Sequence, residues 1–373
     1  MFIDFQNQLL GKLAAINDAG LFNECGTIMS GRAVVDTDGG RYLNFRNPAP
    51  LQLNHCFEVA SDTNNSISAL ERKLAKMLDA EDCIIYNSSI EANNAIANQL
   101  LDRPDALIYN SLGRFSLSGG PNFCRPTKYK YHGFDINDIE KQLKLSQAQR
   151  FRAIMIDSVD MATGNVAPLN RIFALAEKYG AIVIIEQTLT AGIVGDGGRG
   201  ICSFFQEQFD TIVHTGSLQY LGSNGGAYIA ASREIVDFLR QHTLLAQFSA
   251  PMEKHNIAAA ERFIGNIVPM NAERQYILQI TNYFIKKLYC LGFEIPPTQT
   301  CRFAVMTGDA ARTESIARTF EKKGVLVSAL TPPYVGKDQC RLVMNLSVGH
   351  TKDDVETASG VFESIASMFP KRQ

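Results

Sequence analysis

The chain has 373 residues, with 36 basic and 38 acidic side chains and a formal net charge of −2. That balance, without a basic run or an aromatic-interleaved patch, argues against nucleic acid as a partner, and the length suffices for a large domain and a smaller one with separate cores. Its eight cysteines form no C-x-x-C pair and no metal-like spacing with the six histidines, so they read as reduced core residues, and no metal site is expected.

The N-terminal MFIDFQNQLLGKLAAINDAGLF carries Asp4 and polar residues every few positions. This is neither a signal peptide nor a membrane span, and a cytoplasmic protein is expected. Phe5, Leu9, Leu10, Leu13 and Ala14 share one helical face, as in an amphipathic arm. GRAVVDTDGGRYLNF then alternates around Asp38-Gly39-Gly40, a small hairpin. From Ser68 the pattern predicts a helix, a strand from Cys83 to Tyr86, a turn, and a second helix from about Ile90, with Glu91 complementing the dipole of its first turn.

Farther on, the apolar run Ala181 to Ile185 ends on Glu186, the pattern of a buried parallel strand that delivers a carboxylate at its C-terminal edge, where open α/β sheets bind ligands. GDGGRG, Gly195 to Gly200, is too glycine-rich for a helix, and a second buried strand, Thr211 to Thr215, leads into GSLQYLGSNGG. After a long connecting helix the chain reads as helix (Ala272 to Leu291), strand (Phe303 to Met306), helix (Arg312 to Lys323), strand (Arg341 to Leu346) and a last helix after Thr351, with Thr351 and Asp354 spaced as a capping box. The expected division is an arm and hairpin over 1–45, a large cofactor-type domain over 46–247, and a small C-terminal domain with the connecting helix over 248–373.

Strand, acid, G-x-x-G-x-x-G-R-G loop, strand and L-G-S-x-G-G together resemble the core of the α-oxoamine synthases. These pyridoxal-phosphate enzymes join an amino acid to an acyl thioester with loss of carbon dioxide. The resemblance implies an α/β, fold-type-I aminotransferase-like architecture, with a mostly parallel central sheet flanked by helices in the large domain and a smaller α+β domain after it. It also implies a place for every cofactor contact. The family's D-E-A-H falls on Glu186 to Leu189, and its Schiff-base lysine on Gln219. The phosphate turn S-S-G-Y/F puts Ser89 at the glycine and Ile90 at the aromatic position, and Arg114 stands at the ring-stacking histidine. In E-S-V-F-S-M, Asp157 replaces the glutamate and Met161 the cofactor-bonding serine. Val343 stands where an arginine grips the amino-acid carboxylate, while Phe248 and Ser249 retain the F-S segment that reaches the neighbouring subunit's phosphate.

An amide nitrogen cannot form or exchange an imine, and no lysine lies between Arg199 and Arg233. No covalently bound cofactor is therefore expected; pyridoxal phosphate would be held non-covalently or by a partner. The pattern is similar to the non-catalytic long-chain-base subunit of serine palmitoyltransferase, with Met161-Ala162-Thr163-Gly164 matching its M-x-T-G turn, although the N-terminal membrane segment of those subunits has no match here. The resemblance implies an inactive subunit, a pseudoenzyme, supporting a homologous lysine-bearing catalytic chain in a heterodimeric acyltransferase. Two alternatives are a transferase that uses pyridoxal phosphate without an internal aldimine, and a homodimeric small-molecule-binding protein. Glu186, buried without a pyridinium partner, needs a cation, and Arg114 is expected to turn inward to supply it.

Overall fold

A computed structural model describes residues 33–37, 40–46, 50–51, 67–114, 119–205, 212–242 and 252–370, with scattered positions between 10 and 18. The chain divides into two compact units. The larger comprises Leu51–Met161 and Asn165–Gln275, and the smaller Met1–Pro50, Ala162–Gly164 and Tyr276–Gln373.

The larger unit is built on seven strands: β1 (Asp82–Tyr86), β2 (Ala106–Asn110), β3 (Thr127–Tyr131), β4 (Arg152–Asp157), β5 (Ala181–Glu186), β6 (Ile212–Ser217) and β7 (Ala227–Ala231). Their order is β1-β7-β6-β5-β4-β2-β3. Neighbours from β6 through β3 run parallel, and β7 is antiparallel to both of its neighbours. The central strands are buried on both faces, which is why Ala181–Glu186 reads as an unbroken apolar run instead of alternating. One face carries Met155, Ile184, Val213 and Ile229 in a cluster with Ala92 and Ile96. The other packs Ile154, Ile156, Val183 and Ile185 against Ile172 and Phe173 of the helix Leu169–Tyr179. Because the parallel strands point the same way, the C-terminal ends of β2, β4, β5 and β6 lie along one edge. That edge collects Asn110, Asp157, Glu186 and Ser217.

In the smaller unit Gly40–Asn44 pairs antiparallel with Val34–Thr37 and parallel with Val325–Leu326. A second sheet places Cys340–Asn345 between Arg302–Gly308 and Ser328–Leu330. The helix Lys352–Ser364 starts with the anticipated box, in which the Thr351 hydroxyl accepts from Asp354 N and the Asp354 carboxylate accepts from Thr351 N.

The division differs from the expected 1–45, 46–247 and 248–373. The hairpin belongs with the C-terminal unit, because Gly40–Asn44 takes its second strand partner there and Phe45 exchanges backbone hydrogen bonds with Leu326 and Asn345. The helix Lys254–Ile267 belongs with the larger unit, where Lys73 pairs with Glu261 at 2.7 Å and Ile267 packs beside Gly192. The segment GVLVSAL forms the two short strands Val325–Leu326 and Ser328–Leu330. No helix among the described residues is long and apolar enough to cross a membrane.

Candidate functional site

At the edge of the large sheet two of the predicted positions, Arg114 and Asp157, meet a third, the Glu186 carboxylate. Glu186 ends β5, 4% exposed, and both of its oxygens are engaged. Oε1 accepts the Thr188 backbone N–H at 3.3 Å and the Thr188 hydroxyl, whose oxygen in turn accepts from Ser217 N at 2.8 Å. Oε2 lies 3.4 Å from Arg114 Nε. The inward-turned arginine expected from the burial of Glu186 and from the family resemblance is thus found, with 27% of its side chain still exposed. Burial works against its charge, but Glu186, Tyr220 and Asp157 outweigh that and hold the guanidinium pKa above its usual value.

Asp157 ends β4 in register with Glu186, so the two side chains emerge on the same face of adjacent strands. Its Oδ1 accepts Arg114 N at 3.0 Å. Its Oδ2 lies so near Gly113 that a Cβ there would be 2.2 Å away, which is why this turn has no side chain at residue 113. Burial first, and the neighbouring Glu186 second, push the Asp157 carboxyl up to about 7, against the lowering effect of the Arg114 N–H and guanidinium.

Gln219, at the lysine position, sits exposed in a single helical turn, Leu218–Leu221, with its N–H on Ser217 Oγ at 3.1 Å. The turn preceding the helix Ser89–Ala95 is closed by its own side chains. Ser88 Oγ accepts Glu91 N at 3.2 Å, and Glu91 Oε2 accepts Asn87 N at 3.1 Å. Ile90 is 60% exposed. Leu189 is half-buried against the apolar cluster beneath β5, and Met161 is half-buried. Val343, in the smaller unit, is fully buried in an apolar cluster with Ala304, Leu330, Val335 and Cys340. Phe248 and Ser249 lie outside the described residues.

Two contributors, Thr188 and Gly113, carry no local motif that announces them. Thr188 looked like an ordinary neighbour of Glu186, and Gly113 like a generic turn glycine. Ser88 and Glu91 carry an S-x-x-E spacing that could have announced the closed turn. Behind the edge, Gln187 and His214 are also buried together: Gln187 Oε1 accepts Ile201 N at 2.9 Å and Nε2 lies 2.6 Å from His214 Nδ1. Burial pushes this imidazole down to about 4, so it is neutral and accepts the amide proton.

The family model for aminotransferase class I and II matches residues 60–361. The chain belongs to that family. Its relatives identify it within the family as a member of the α-oxoamine synthase group. A 2-amino-3-ketobutyrate coenzyme A ligase of Salmonella typhimurium is 30% identical over 97% of both chains, and an 8-amino-7-oxononanoate synthase of Petrotoga mobilis is 26% identical over 97% of this chain and 98% of its own. The fold is similar to a solved serine palmitoyltransferase of Sphingomonas wittichii, with a TM-score of 0.84 at 18% identity over 97% of this chain and 98% of that one.

Pyridoxal phosphate is the cofactor such a fold implies, and the residues at the edge do not fit it. Gln219 offers no amine for a Schiff base. A protonated pyridine nitrogen needs Glu186 as its acceptor, yet that carboxylate already holds Thr188 on one oxygen and a guanidinium on the other. A pyridinium added there would be a second cation beside Arg114. At the phosphate turn, the Glu91 carboxylate faces the backbone that an incoming anion would use.

Proposed function

We propose that the chain is a non-catalytic member of an α-oxoamine synthase assembly, supporting a homologous sister chain that carries the Schiff-base lysine and the pyridoxal phosphate. The observation that carries this reading is the Arg114–Glu186 pair at 3.4 Å, formed where the cofactor's ring nitrogen would need that carboxylate. Three replacements act in the same direction. Gln219 removes the nucleophile, the Glu91 contact with Asn87 N takes the phosphate turn, and Val343 turns the carboxylate-binding position into core. The chemistry served is the condensation of an amino acid with an acyl thioester, the reaction of the group to which the chain belongs. Two-fold or pseudo-two-fold pairing is the arrangement through which one subunit completes another's site, and Phe248 and Ser249 are the residues this chain would lend to its sister.

Co-expression with a lysine-bearing homologue from the same genome tests the reading. The expected result is a colourless chain when purified alone, with no condensation activity. It should form a stoichiometric complex with the homologue, whose turnover drops when this chain is withheld. Stoichiometric uptake of pyridoxal phosphate with turnover by the isolated chain would overturn the proposal. A stable homodimer that ignores every lysine-bearing homologue would replace it with a cofactor-free binding protein.

A further inference from the structure

Asp157 and Glu186 are in-register neighbours on parallel strands, with their carboxyl groups on one face of the sheet. They are 7% and 4% exposed, respectively. One cation serves both. The Arg114 guanidinium reaches Glu186 Oε2 at 3.4 Å, while the same residue's backbone N–H reaches Asp157 Oδ1 at 3.0 Å. The other charged or titratable groups around Asp157 are Asp160, which adds negative charge, and Tyr131 on β3. The Tyr131 hydroxyl donates to Met155 O at 2.9 Å. Tyr220 faces Arg114. Among the described residues none of these supplies a second positive charge.

We propose that Asp157 retains a proton beside Glu186 and Arg114, making the edge of the sheet a pH-responsive element that gains one negative charge when that proton leaves. Two buried carboxylates beside one guanidinium cannot both ionise without cost, so one remains protonated until the solution is alkaline enough to remove its proton. Asp157 Oδ2 occupies the space a side chain at Gly113 would need, since an added Cβ there would lie 2.2 Å from it. The position of the titration follows: burial and Glu186 raise the Asp157 carboxyl to about 7, within the range a cell can cross. Below it the site presents a balanced Arg114–Glu186 pair, and above it an excess carboxylate that favours a cationic ligand or partner group. This inference stands whether or not the chain has a catalytic sister.

Infrared difference spectroscopy of the intact chain between pH 5 and 9 reads the proton directly. We expect the carbonyl stretch of a buried protonated carboxylic acid to disappear with a midpoint near neutrality in the wild type, and to be absent in Asp157→Asn. In Glu186→Gln the midpoint should move to lower pH by one unit or more, because the charge that opposes ionisation has gone. Urea denaturation supplies a second readout. The wild type's folding equilibrium constant, divided by that of Asp157→Asn, should fall roughly tenfold per pH unit from pH 5 to 7 and then level off. A wild-type carboxyl fully ionised at pH 5, or a Glu186→Gln midpoint equal to the wild type's, would overturn the proposal. Should Asp157→Asn not fold, the wild-type and Glu186→Gln spectra decide alone.

Discussion

Arg114→Ala removes the only cation found within 4 Å of Glu186 among the described residues. Stripping a fully buried carboxylate of its partner costs about 3–5 kcal/mol, whereas an exposed pair is worth about 0–1 kcal/mol. This pair lies between those limits. Glu186 has 5% of its side chain exposed and Arg114 27%, so water reaches the guanidinium but hardly the carboxylate. The 3.4 Å separation is long for a charge-assisted hydrogen bond, and Glu186 keeps the Thr188 N–H and hydroxyl after the substitution. The Arg114 N–H contact to Asp157 is backbone and survives in alanine. We therefore expect a loss of about 2 kcal/mol, measured as a lower urea midpoint at pH 7 by far-ultraviolet circular dichroism with the slope unchanged. The double variant Arg114→Ala with Glu186→Gln should recover at least about half of that loss, because the carboxylate left without its cation is itself removed. A loss below about 0.5 kcal/mol with no coupling would show that the pair is not what makes the site stable without a cofactor.

Gln219→Lys should give no condensation product when assayed alone with amino acids and acyl thioesters, since the amine by itself leaves Glu186 paired with Arg114 and positioning supplies much of the rate. Turnover by that single variant would contradict the non-catalytic reading. Gly113→Ala should lower stability by about 1–3 kcal/mol, seen as a reduced Tm, because its Cβ meets Asp157 Oδ2 at 2.2 Å and Asn110 Cβ at 3.1 Å. Val343→Arg puts a guanidinium among Ala304, Leu330 and Val335 and should destabilise by more than about 3 kcal/mol; an unchanged Tm would mean the position still opens on a polar site. Stability should also fall as pH rises from about 4 to 7, since the native state keeps the Asp157 proton with a pKa near 7 whereas the ordinary value is 3.8. The contribution, roughly 4 kcal/mol at most, is fully present below 3.8 and gone above 7. Equal slopes for wild type and Asp157→Asn in pH-resolved urea titrations would refute it.

The large sheet was readable because buried parallel strands leave a strong local record, as the unbroken run Ala181–Glu186 shows. The Arg114–Glu186 pair was readable for a different reason: a buried carboxylate with no cofactor has to find a cation, and the resemblance placed an arginine above it. Long-range pairing left no such record. Nothing local in Gly40–Asn44 says that its second neighbour is Val325–Leu326, and so the hairpin was assigned to a separate arm. The same limit applies to Lys254–Ile267, whose placement depends on contacts such as Lys73 with Glu261, 188 residues apart. Gly113 was missed because its constraint is the carboxylate of a residue 44 positions later, not a left-handed backbone that a turn motif would reveal.

Loss of a cofactor site and replacement of a cofactor site are physically different, and the function proposed above takes the edge of this sheet as the second. Deleting the lysine and the ring contacts alone would leave Glu186 buried at 4% exposure with no counter-charge, and open backbone donors at the start of the helix Ser89–Ala95. Each lesion instead carries its own remedy. Arg114 supplies the missing positive charge, and Thr188 saturates the other oxygen. Ser88 and Glu91 satisfy backbone donors beside the phosphate turn, and Val343 fills its place as core. The core residues beneath, Met155, Ile184, Val213 and Ile229, are apolar and buried, so the scaffold can hold while its edge is rebuilt. On the proposed function, a site that pairs its own charges would free the chain's stability from cofactor supply.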